Sequence, residues 1–474
     1  MDKSNLSPSA GAKEISITCI ILIGVAIAVL VFCTGVFTFG FLFYRQQMLS
    51  LAQTTTPAPT ATLVPTDTPV PTDTPAPTDT PLPPTNPPPA ADTPVPESPS
   101  AEPPPTDMSE PPTATPTPRP PKSLRMNSPE YGMQAFLWWR PETAHRDLGL
   151  IRDAGFTWVK QEFPWREIEG SAKGSFGWER PDRIVAQVEE FGLDLVARID
   201  SQPAWAGGGF PENGPPDNLQ DLADFLYAMA SRYKGRIRAY QVYNEPNLNV
   251  AGRSEWGGRP PNPAEYTALL KVAYQAIKQA DPNAMVISAG LSPTSRWDDQ
   301  AMPDEVFLKG MYAAGAKPYF DVLGVHGAGY KVPPETDPAV VARDPALNNN
   351  DPSPEERKRI YCFRHVEALR RIMVENGDAD KQIALLEFGW TSDPIHPEYS
   401  WFSVTEEQKG DYLVQAYKYA KENWSPWIGL MSLIYVADPD WTEDDEQYWW
   451  AVTYPDYPVP RWRSAYIAVK NMPK

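Results

Sequence analysis

The amino-acid sequence predicts an α/β fold of the (β/α)8 or TIM-barrel type, preceded by one transmembrane helix and a disordered linker. Three observations lead to this prediction. Residues 15–44 form an apolar run without a single charge, and residues 45–122 are rich in proline and threonine. From residue 123 onwards, short apolar segments alternate eight times with amphipathic helical patterns, which is typical of parallel βα units.

The apolar run over residues 15–44 predicts a membrane anchor. It is thirty residues long, whereas roughly twenty apolar residues suffice to span a bilayer. A cleaved signal peptide and a buried core helix are the alternatives. The apolar part of a signal peptide is only about 7–15 residues long and ends at small residues, whereas this run closes with Phe41-Leu42-Phe43-Tyr44. The length and the bulky end favour an uncleaved anchor.

The charges that flank this span indicate its orientation. Lys3, Lys13 and the α-amino group stand on one side and Arg45 on the other, so the positive-inside rule mildly favours a short cytoplasmic N-terminus over residues 1–14. The linker over residues 45–122 repeats Pro-Thr-Asp-Thr-Pro, and proline at this density opposes helices and sheets. We therefore expect a single-pass protein whose globular region lies outside the membrane on an extended stalk.

The globular region, residues 123–474, contains eight predicted strands. They are Tyr131–Phe136, Trp158–Glu162, Asp194–Ile199, Ala239–Tyr243, Met285–Ala289, Asp321–Val325, Gln382–Leu386 and Ile428–Tyr435. Each strand is apolar and precedes a helical pattern, as expected for a (β/α)8 barrel with insertions. A doubly wound open sheet is the alternative, but no glycine-rich phosphate loop follows the first strand, as one would in a nucleotide-binding sheet.

Three of the predicted helices begin with capping signals. The helix after the third strand has Asp217 as its predicted N-cap and Gln220 three residues later, a capping-box arrangement. The helix after the fourth strand begins at Asn262, and the helix after the seventh begins at Thr405 with Gln408. Such side chains accept hydrogen bonds from backbone N–H groups that have no partner within the helix, so they mark where the helices start.

Composition excludes several classes of function. The formal net charge is -18, which argues against a nucleic-acid partner, since that would require a basic surface. An acidic surface is compatible with a neutral polymer such as a glycan. Cys362 is the only cysteine of the globular region and the four histidines are scattered. We therefore expect no internal disulfide, no metal site and no cofactor.

Two glutamates stand where predicted strands enter their loops. The fourth strand runs into Asn244-Glu245-Pro246-Asn247, and the seventh runs into Glu387-Phe388-Gly389-Trp390. In a (β/α)8 barrel these positions meet at the C-terminal face, where active sites lie. A pair of carboxyl groups facing each other is what glycosidic cleavage requires, because one donates a proton to the leaving oxygen and the other attacks the anomeric carbon.

The region from Tyr131 to Lys474 resembles the clan A glycoside hydrolases, most closely family 39, with family 5 as its neighbour. The Asn-Glu pair after strand four and the Glu that closes strand seven carry the resemblance. The resemblance implies that Glu245 is the acid/base, that Glu387 is the nucleophile and that Asn244 binds the sugar 2-hydroxyl. It also implies a retaining mechanism by double displacement on an extracellular poly- or oligosaccharide.

Three further residues are candidates by the same resemblance. His326 and Tyr330 lie at the end of strand six, where similar enzymes place a histidine and a tyrosine that orient the sugar and the nucleophile. Lys160 stands on strand two, where related enzymes often carry an arginine. A lysine keeps the charge but loses the bidentate fork of a guanidinium. Tyr435 ends strand eight, where many relatives have a tryptophan. Because of these two differences, we do not assume that this chain has the substrate specificity of any relative.

Tryptophans crowd the predicted rim of the barrel, and their rings suit the apolar C–H faces of sugars. The candidates for stacking platforms are Trp165, Trp205, Trp390 and Trp441. With 16 tryptophans in the chain, several must belong to the core.

Three alternatives to a hydrolase stay open at this stage. The barrel could be an inactive glycan-binding surface protein, a structural stalked protein without glycan contact, or a transglycosidase that uses the same two glutamates. The sequence does not fix the sugar, the linkage or endo against exo action.

Overall fold

The computed structural model describes residues 123–250 and 253–474 of the chain. The predicted cytoplasmic segment, transmembrane anchor and linker, residues 1–122, lie outside the described residues and stay predictions. Among the residues that are described, no helix is both long enough and apolar enough to cross a membrane.

Within this part of the chain, eight strands close into a parallel barrel. They are β1 (Glu130–Gln134), β2 (Trp158–Pro164), β3 (Asp194–Asp200), β4 (Ala239–Val242), β5 (Met285–Ile287), β6 (Val322–Ala328), β7 (Gln382–Gly389) and β8 (Ile428–Leu433). Each strand pairs in parallel with its neighbours in sequence, and β8 pairs back with β1. The TIM-barrel prediction is therefore confirmed, and the open sheet is excluded.

A long helix follows each strand and covers its outer face. These helices are α1 (Ala144–Asp153), α2 (Glu179–Glu190), α3 (Leu219–Arg232), α4 (Pro263–Ala280), α5 (Asp304–Ala313), α6 (Val366–Glu375), α7 (Glu406–Asn423) and α8 (Ser464–Asn471). Shorter helices stand in the loops at Trp165–Ile168, Pro338–Arg343, Pro397–Ser400 and Glu446–Trp450. A small hairpin pairs Asn249–Val250 with Arg253–Ser254 after β4.

The capping signals place two helix starts correctly and one a residue early. Asn262 caps α4, and Thr405 forms a complete capping box with Gln408 at α7. At α3 the predicted cap Asp217 is wrong, because Asn218 accepts the hydrogen bond from the N–H of Gln220. The side chain of Asp217 instead accepts from the N–H of Gly208, so it fastens the loop that precedes the helix.

The barrel interior is apolar at one end. Its cluster is formed by Met126, Trp158, Val196, Ala239, Met285, Ile287, Val322, Ala384, Leu386 and Leu430. These side chains come mainly from the first halves of the strands, and they fill the barrel as a packed core. The charged residues described below lie further along the same strands, so the polar end of the interior coincides with the C-terminal face.

Two strands extend three residues further than the sequence predicts. β6 continues to Ala328 and β7 to Gly389, because the pairs His326 with Glu387 and Ala328 with Gly389 prolong the ladder between them. His326 and Glu387 therefore belong to the sheet itself and not to the loops after it. Their backbones are fixed by the hydrogen bonds of the barrel.

Candidate active site

A cavity of about 1400 Å³ opens at the C-terminal ends of the strands. Six of the predicted site residues line it, namely Asn244, Glu245, His326, Tyr330, Glu387 and Trp441. The structure thus brings together side chains from β4, β6, β7 and the loop after β8. The volume exceeds the usual range for small-ligand sites, and is roomy enough for more than one sugar ring.

Glu245 is held at the end of β4 by an unusual backbone. Tyr243 has φ 67° and Glu245 has φ 38°, a left-handed conformation that is uncommon for residues other than glycine. The N–H of Glu245 donates to the carbonyl of Gly290 at 3.0 Å, which ties this turn to the segment after β5. Such conformations persist where surrounding structure enforces them and are frequent at functional sites. Here the turn directs the carboxyl group into the cavity.

His326 joins the two predicted catalytic carboxyl groups. Its Nδ1 lies 2.8 Å from Oε1 of Glu245 and 3.8 Å from Oε2 of Glu387. The closest carboxylate oxygens are therefore separated by no more than the sum of these distances, about 6.6 Å. The other side of the ring faces Gly290, where any Cβ would clash with the imidazole. Glycine at this position allows the histidine to sit between the two strands.

An irregularity in the barrel aims Glu387 inwards. The ladder between β6 and β7 shifts register between Val325 and His326, so that Leu386 is the additional residue on β7. Leu386 belongs to the interior cluster, and the bulge allows Glu387, its direct neighbour, to reach the cavity as well. In a regular strand consecutive side chains would point to opposite faces. Bulges commonly redirect a side chain next to an active site.

Lys160 does not line the cavity but contacts the carboxylate of Glu387 from β2. Its Nζ donates to Oε1 at 2.6 Å, and the lysine side chain is almost fully buried. Burial by itself raises the pKa of Glu387, but Lys160, His326 and Arg198 together lower it to about 2. The opposite charges favour the ionised form of the carboxyl group. Glu387 is therefore an anion throughout the physiological pH range.

Several buried charges beside this pair were not predicted from the sequence. Arg198 on β3 forms ion pairs with Glu162 and Asp200. Burial, reinforced by the charge of Asp200, raises the pKa of Glu162 to about 7. Burial likewise raises the pKa of Glu255 to about 8, against the effect of Arg198. An arginine thus stands near Glu387, on the third strand and not on the second.

Asn244 is buried beside Glu245 and lines the cavity. Its side-chain oxygen accepts a hydrogen bond from Nε2 of Gln241 at 3.1 Å. Gln241 also donates to the carbonyl of Tyr243, so one buried amide fixes both the turn and the asparagine. The hydrogen bond to Oδ1 of Asn244 also fixes the direction of its amide nitrogen, because both atoms belong to one planar group.

The four tryptophans predicted as stacking platforms differ in whether they reach the cavity. Trp441 lines the cavity, and Trp205 is half-buried outside its lining, where its indole donates to the carbonyl of Glu169. Trp165 and Trp390 are fully buried, so predicting them as platforms was wrong. Trp165 stacks on Phe225 in the core. The indole N–H of Trp390 donates to the carbonyl of Val332 at 3.0 Å.

An aromatic wall that the sequence did not reveal lines another side of the cavity. Tyr330 contacts the rings of Tyr361, Trp401 and Phe402, with ring centroids 4.9 to 6.1 Å apart. Tyr330 itself was predicted, whereas its partners come from loops far away in the sequence. Trp401 follows the short helix Pro397–Ser400 and is only partly buried. In place of Trp390, it is a tryptophan of the loop after β7 that lines the cavity.

Comparisons with known proteins agree with this architecture. No protein-family model matches the sequence, and no curated protein matches it either. A solved family 39 glycoside hydrolase from Bacteroides cellulosilyticus WH2 has a TM-score of 0.53 at 19% identity, covering 72% of this chain and 63% of that chain. GH5_18 from Streptomyces cattleya, in complex with GlcNAc, has a TM-score of 0.52 at 14% identity, covering 73% and 79%.

A glucosidase from Croceicoccus marinus has a TM-score of 0.50 at 14% identity, covering 73% of this chain and 67% of that chain. These structures share the barrel fold with this chain. The resemblance to families 39 and 5, first stated on the glutamate motifs, is thus confirmed in the fold. This chain matches less than two thirds of the length of the family 39 structure.

The contact of Lys160 with Glu387 predicts a change in pH dependence. Lys160→Met keeps an unbranched side chain of similar length but removes the charge, so the pKa of Glu387 should rise from about 2. A carboxylate nucleophile loses activity as the pH falls through its pKa. The acidic limb of kcat/KM should therefore move upwards by about one pH unit or more.

The control for this experiment is Lys418→Met, because Lys418 is exposed on α7. Its acidic limb should coincide with that of the wild-type protein. If Lys160→Met also leaves the limb in place, Lys160 does not set the charge state of Glu387.

Proposed function

We propose that this chain is a retaining glycoside hydrolase, with Glu245 as acid/base and Glu387 as nucleophile. The observation that carries the proposal is the pair of carboxyl groups bridged by His326. Retaining enzymes hold their two carboxyl groups about 5–5.5 Å apart, whereas inverting enzymes need about 6.5–9.5 Å to admit a water molecule. The closest carboxylate oxygens here lie no more than about 6.6 Å apart, a bound that includes the retaining separation.

The two carboxyl groups have different surroundings, and this difference supports different roles. Glu387 is paired with Lys160 at 2.6 Å and is kept ionised, as a nucleophile must be. Among the described residues, no lysine or arginine nitrogen lies within 4 Å of the Glu245 carboxyl group, whose partner is His326. A carboxyl group outside the ion pair with Lys160 suits the proposed acid/base, which exchanges a proton with the substrate or with water in each step. Separate environments for two neighbouring carboxyl groups are typical of acid and base assignments.

The proposed reaction has two steps. In the first, an oxygen of Glu387 attacks the anomeric carbon while Glu245 gives its proton to the departing glycosidic oxygen, leaving a glycosyl ester on Glu387. In the second, Glu245 takes a proton from water, whose oxygen attacks the same carbon and releases Glu387. His326 is placed to stabilise the charge that moves between the two carboxyl groups. No cofactor takes part in either step.

The substrate of this proposal is an extracellular poly- or oligosaccharide. A cavity of about 1400 Å³ with aromatic residues on two sides suits successive sugar rings, whose C–H faces pack on aromatic side chains. The predicted anchor over residues 15–44 would hold the barrel at the outer face of the membrane. Interception of the glycosyl ester by a sugar in place of water would make the same site a transglycosidase.

A screen of the purified full-length chain tests the proposal. The panel consists of aryl glycosides of both anomers and the matching unsubstituted oligosaccharides. We expect release of the aryl group and of free sugar by the wild-type protein, and neither by Glu387→Ala. Binding of oligosaccharides without any release would assign the barrel to glycan binding. Longer oligosaccharides in place of free sugar would indicate transglycosylation.

A further inference from the structure

Trp297 is a solvent-exposed tryptophan in the loop after β5. Its exposed fraction of 59% is the largest of any tryptophan among the described residues. Single exposed apolar side chains are common on protein surfaces and by themselves need no explanation. Trp297 differs from them in its position. The same loop lines the cavity up to Ser295, and two residues of extended chain span no more than about 7 Å, so the indole stands close to the edge of the cavity.

The loop that carries Trp297 is held in place by its own contacts. The carboxylate of Asp298 accepts from the backbone N–H of Gln300 at 2.8 Å and from Nε of Arg296 at 2.6 Å. The guanidinium of Arg357 lies over the indole, 5.9 Å from the ring centroid, which is within the range of a cation–π contact. A ligand that packs on a side chain held in this way has less conformational entropy to remove.

A line of aromatic and polar side chains connects Trp297 with the cavity. Arg357, which lies over the indole, also donates from Nη1 to the carbonyl of Ser295 at 2.9 Å. The hydroxyl oxygen of Ser295 lies 3.3 Å from that of Tyr361, and both residues line the cavity. The ring of Tyr361 in turn contacts Tyr330 in the aromatic wall. A sugar chain that leaves the cavity along this side therefore meets Trp297 next.

The backbone contacts of this loop place it on the side of Glu245. The carbonyl of Gly290 accepts from the N–H of Glu245 at 3.0 Å. Two further hydrogen bonds join the backbone of Ser292 to the side chain of Asn247, which follows Glu245 by two residues. In the proposed reaction the leaving group departs past the residue that protonates it. A long leaving group therefore emerges beside the loop after β5.

We infer that Trp297 forms an outer subsite on the leaving-group side, where its exposed indole packs on a sugar ring that lies beyond the cavity. This inference rests on the proposed function and adds a substrate class to it. The substrate is then a polysaccharide or a long oligosaccharide, whose chain continues past the cleaved bond by enough sugar units to leave the cavity. Sugars with an apolar C–H face suit this subsite, because aromatic side chains pack on such faces.

The variant Trp297→Ala tests this inference on oligosaccharides of increasing length, made of the sugar that the screen identifies. We expect kcat/KM of the purified full-length chain to fall about fivefold or more on the longest oligosaccharide. On the disaccharide, which does not reach beyond the cavity, kcat/KM should equal that of the wild-type protein. Trp297→Phe keeps an aromatic ring and should retain most of the wild-type kcat/KM at every length.

The matched control is Trp462→Ala. Trp462 is exposed to a similar extent, 48%, but it precedes α8 on the outside of the barrel. Its ring contacts Tyr466 and Lys470, neither of which lines the cavity. The kcat/KM of this variant should equal that of the wild-type protein at every oligosaccharide length.

An aryl glycoside of the same long oligosaccharide decides on which side Trp297 acts. When its phenol is released, the whole sugar chain stays attached to Glu387 and only the aryl group departs. Trp297→Ala should therefore leave the rate of phenol release unchanged. Equal losses in phenol release and in cleavage of the unsubstituted oligosaccharide would place Trp297 on the side of the sugar that stays attached, and would contradict the inference.

Stability separates an outer subsite from a structural role. Because Trp297 is mostly exposed, Trp297→Ala should hardly change the melting temperature. A lower melting temperature together with equal losses on short and long oligosaccharides would contradict the inference. Unchanged kcat/KM of Trp297→Ala on a long oligosaccharide that the wild-type protein hydrolyses would contradict the inference alone. A wild-type protein that hydrolyses nothing in the panel would contradict the proposed function and the inference with it.

Discussion

Turnover by Glu387→Ala should be on the order of a thousandfold lower than that of the wild-type protein, or lower still, which corresponds to about 4 kcal/mol of lost transition-state stabilisation. The substitution removes the oxygen that attacks the anomeric carbon and leaves Lys160, its buried partner at 2.6 Å, without a counter-charge. Sodium azide should restore part of the turnover. The small anion can occupy the space of the missing carboxylate and attack in its place, so the product should be a glycosyl azide of inverted configuration.

The matched control is Glu422→Ala, because Glu422 is an exposed glutamate of α7. It should retain wild-type turnover and show no response to azide. Turnover near that of the wild-type protein in Glu387→Ala, or a variant that azide does not restore on any active substrate, would contradict the role of Glu387 as nucleophile.

Glu245→Ala should show a different dependence on the leaving group. General acid catalysis contributes on the order of a hundred- to ten-thousandfold, and we expect a loss of this size on oligosaccharides, whose sugar alkoxide departs poorly without a proton. An aryl glycoside with an acidic phenol needs little protonation, so its first step should be nearly preserved. Pre-steady-state release of the phenol should then show a burst, because the second step still lacks its base.

The comparison of the two substrates in Glu245→Ala separates chemistry from folding. A variant that is merely misfolded would lose both activities to the same extent. Equal losses on the aryl glycoside and the oligosaccharide, together with a wild-type melting temperature, would show that Glu245 is not the acid.

The fold was predictable because its signals are local. Apolar strands, amphipathic helices and caps such as Asn262 or Thr405 are each recognised from no more than about 20 consecutive residues. Their eightfold alternation is compatible with few protein architectures. The one misplaced cap, Asp217, differs from Asn218 by a single position. Both residues can cap a helix, and only the contact of Asp217 with the N–H of Gly208 decides between them.

The meeting of the two proposed catalytic glutamates in one cavity was predictable for a related reason, whereas most of the charged residues around them were not. Glu245 and Glu387 stand at strand ends, and strand ends meet at one face of the barrel. The facing of Lys160, Glu162 and Arg198 depends instead on register and barrel closure, which involve strands far apart in the sequence. The contact of Lys160 with Glu387 depends on the register shift in β7. No short sequence pattern predicts this shift.

Tryptophan roles depended on the loops and were the least predictable part of the site. Trp390 and Trp441 both follow barrel strands closely, yet Trp390 is fully buried and Trp441 lines the cavity. The difference arises because Gly329 allows close approach of the Trp390 indole and the carbonyl of Val332 accepts its N–H. The sequence gives no sign of this contact between two loops.

Trapping of the covalent intermediate tests the central proposal most directly. A 2-deoxy-2-fluoro glycoside of the sugar found in the screen, with an acidic leaving group, should form the glycosyl ester quickly and hydrolyse it slowly, because fluorine destabilises both oxocarbenium-like transition states. Mass spectrometry of the digested full-length chain should find the added sugar on the peptide that contains Glu387 and none in Glu387→Ala. A label on a different residue, or no label together with a product of inverted configuration, would contradict the account.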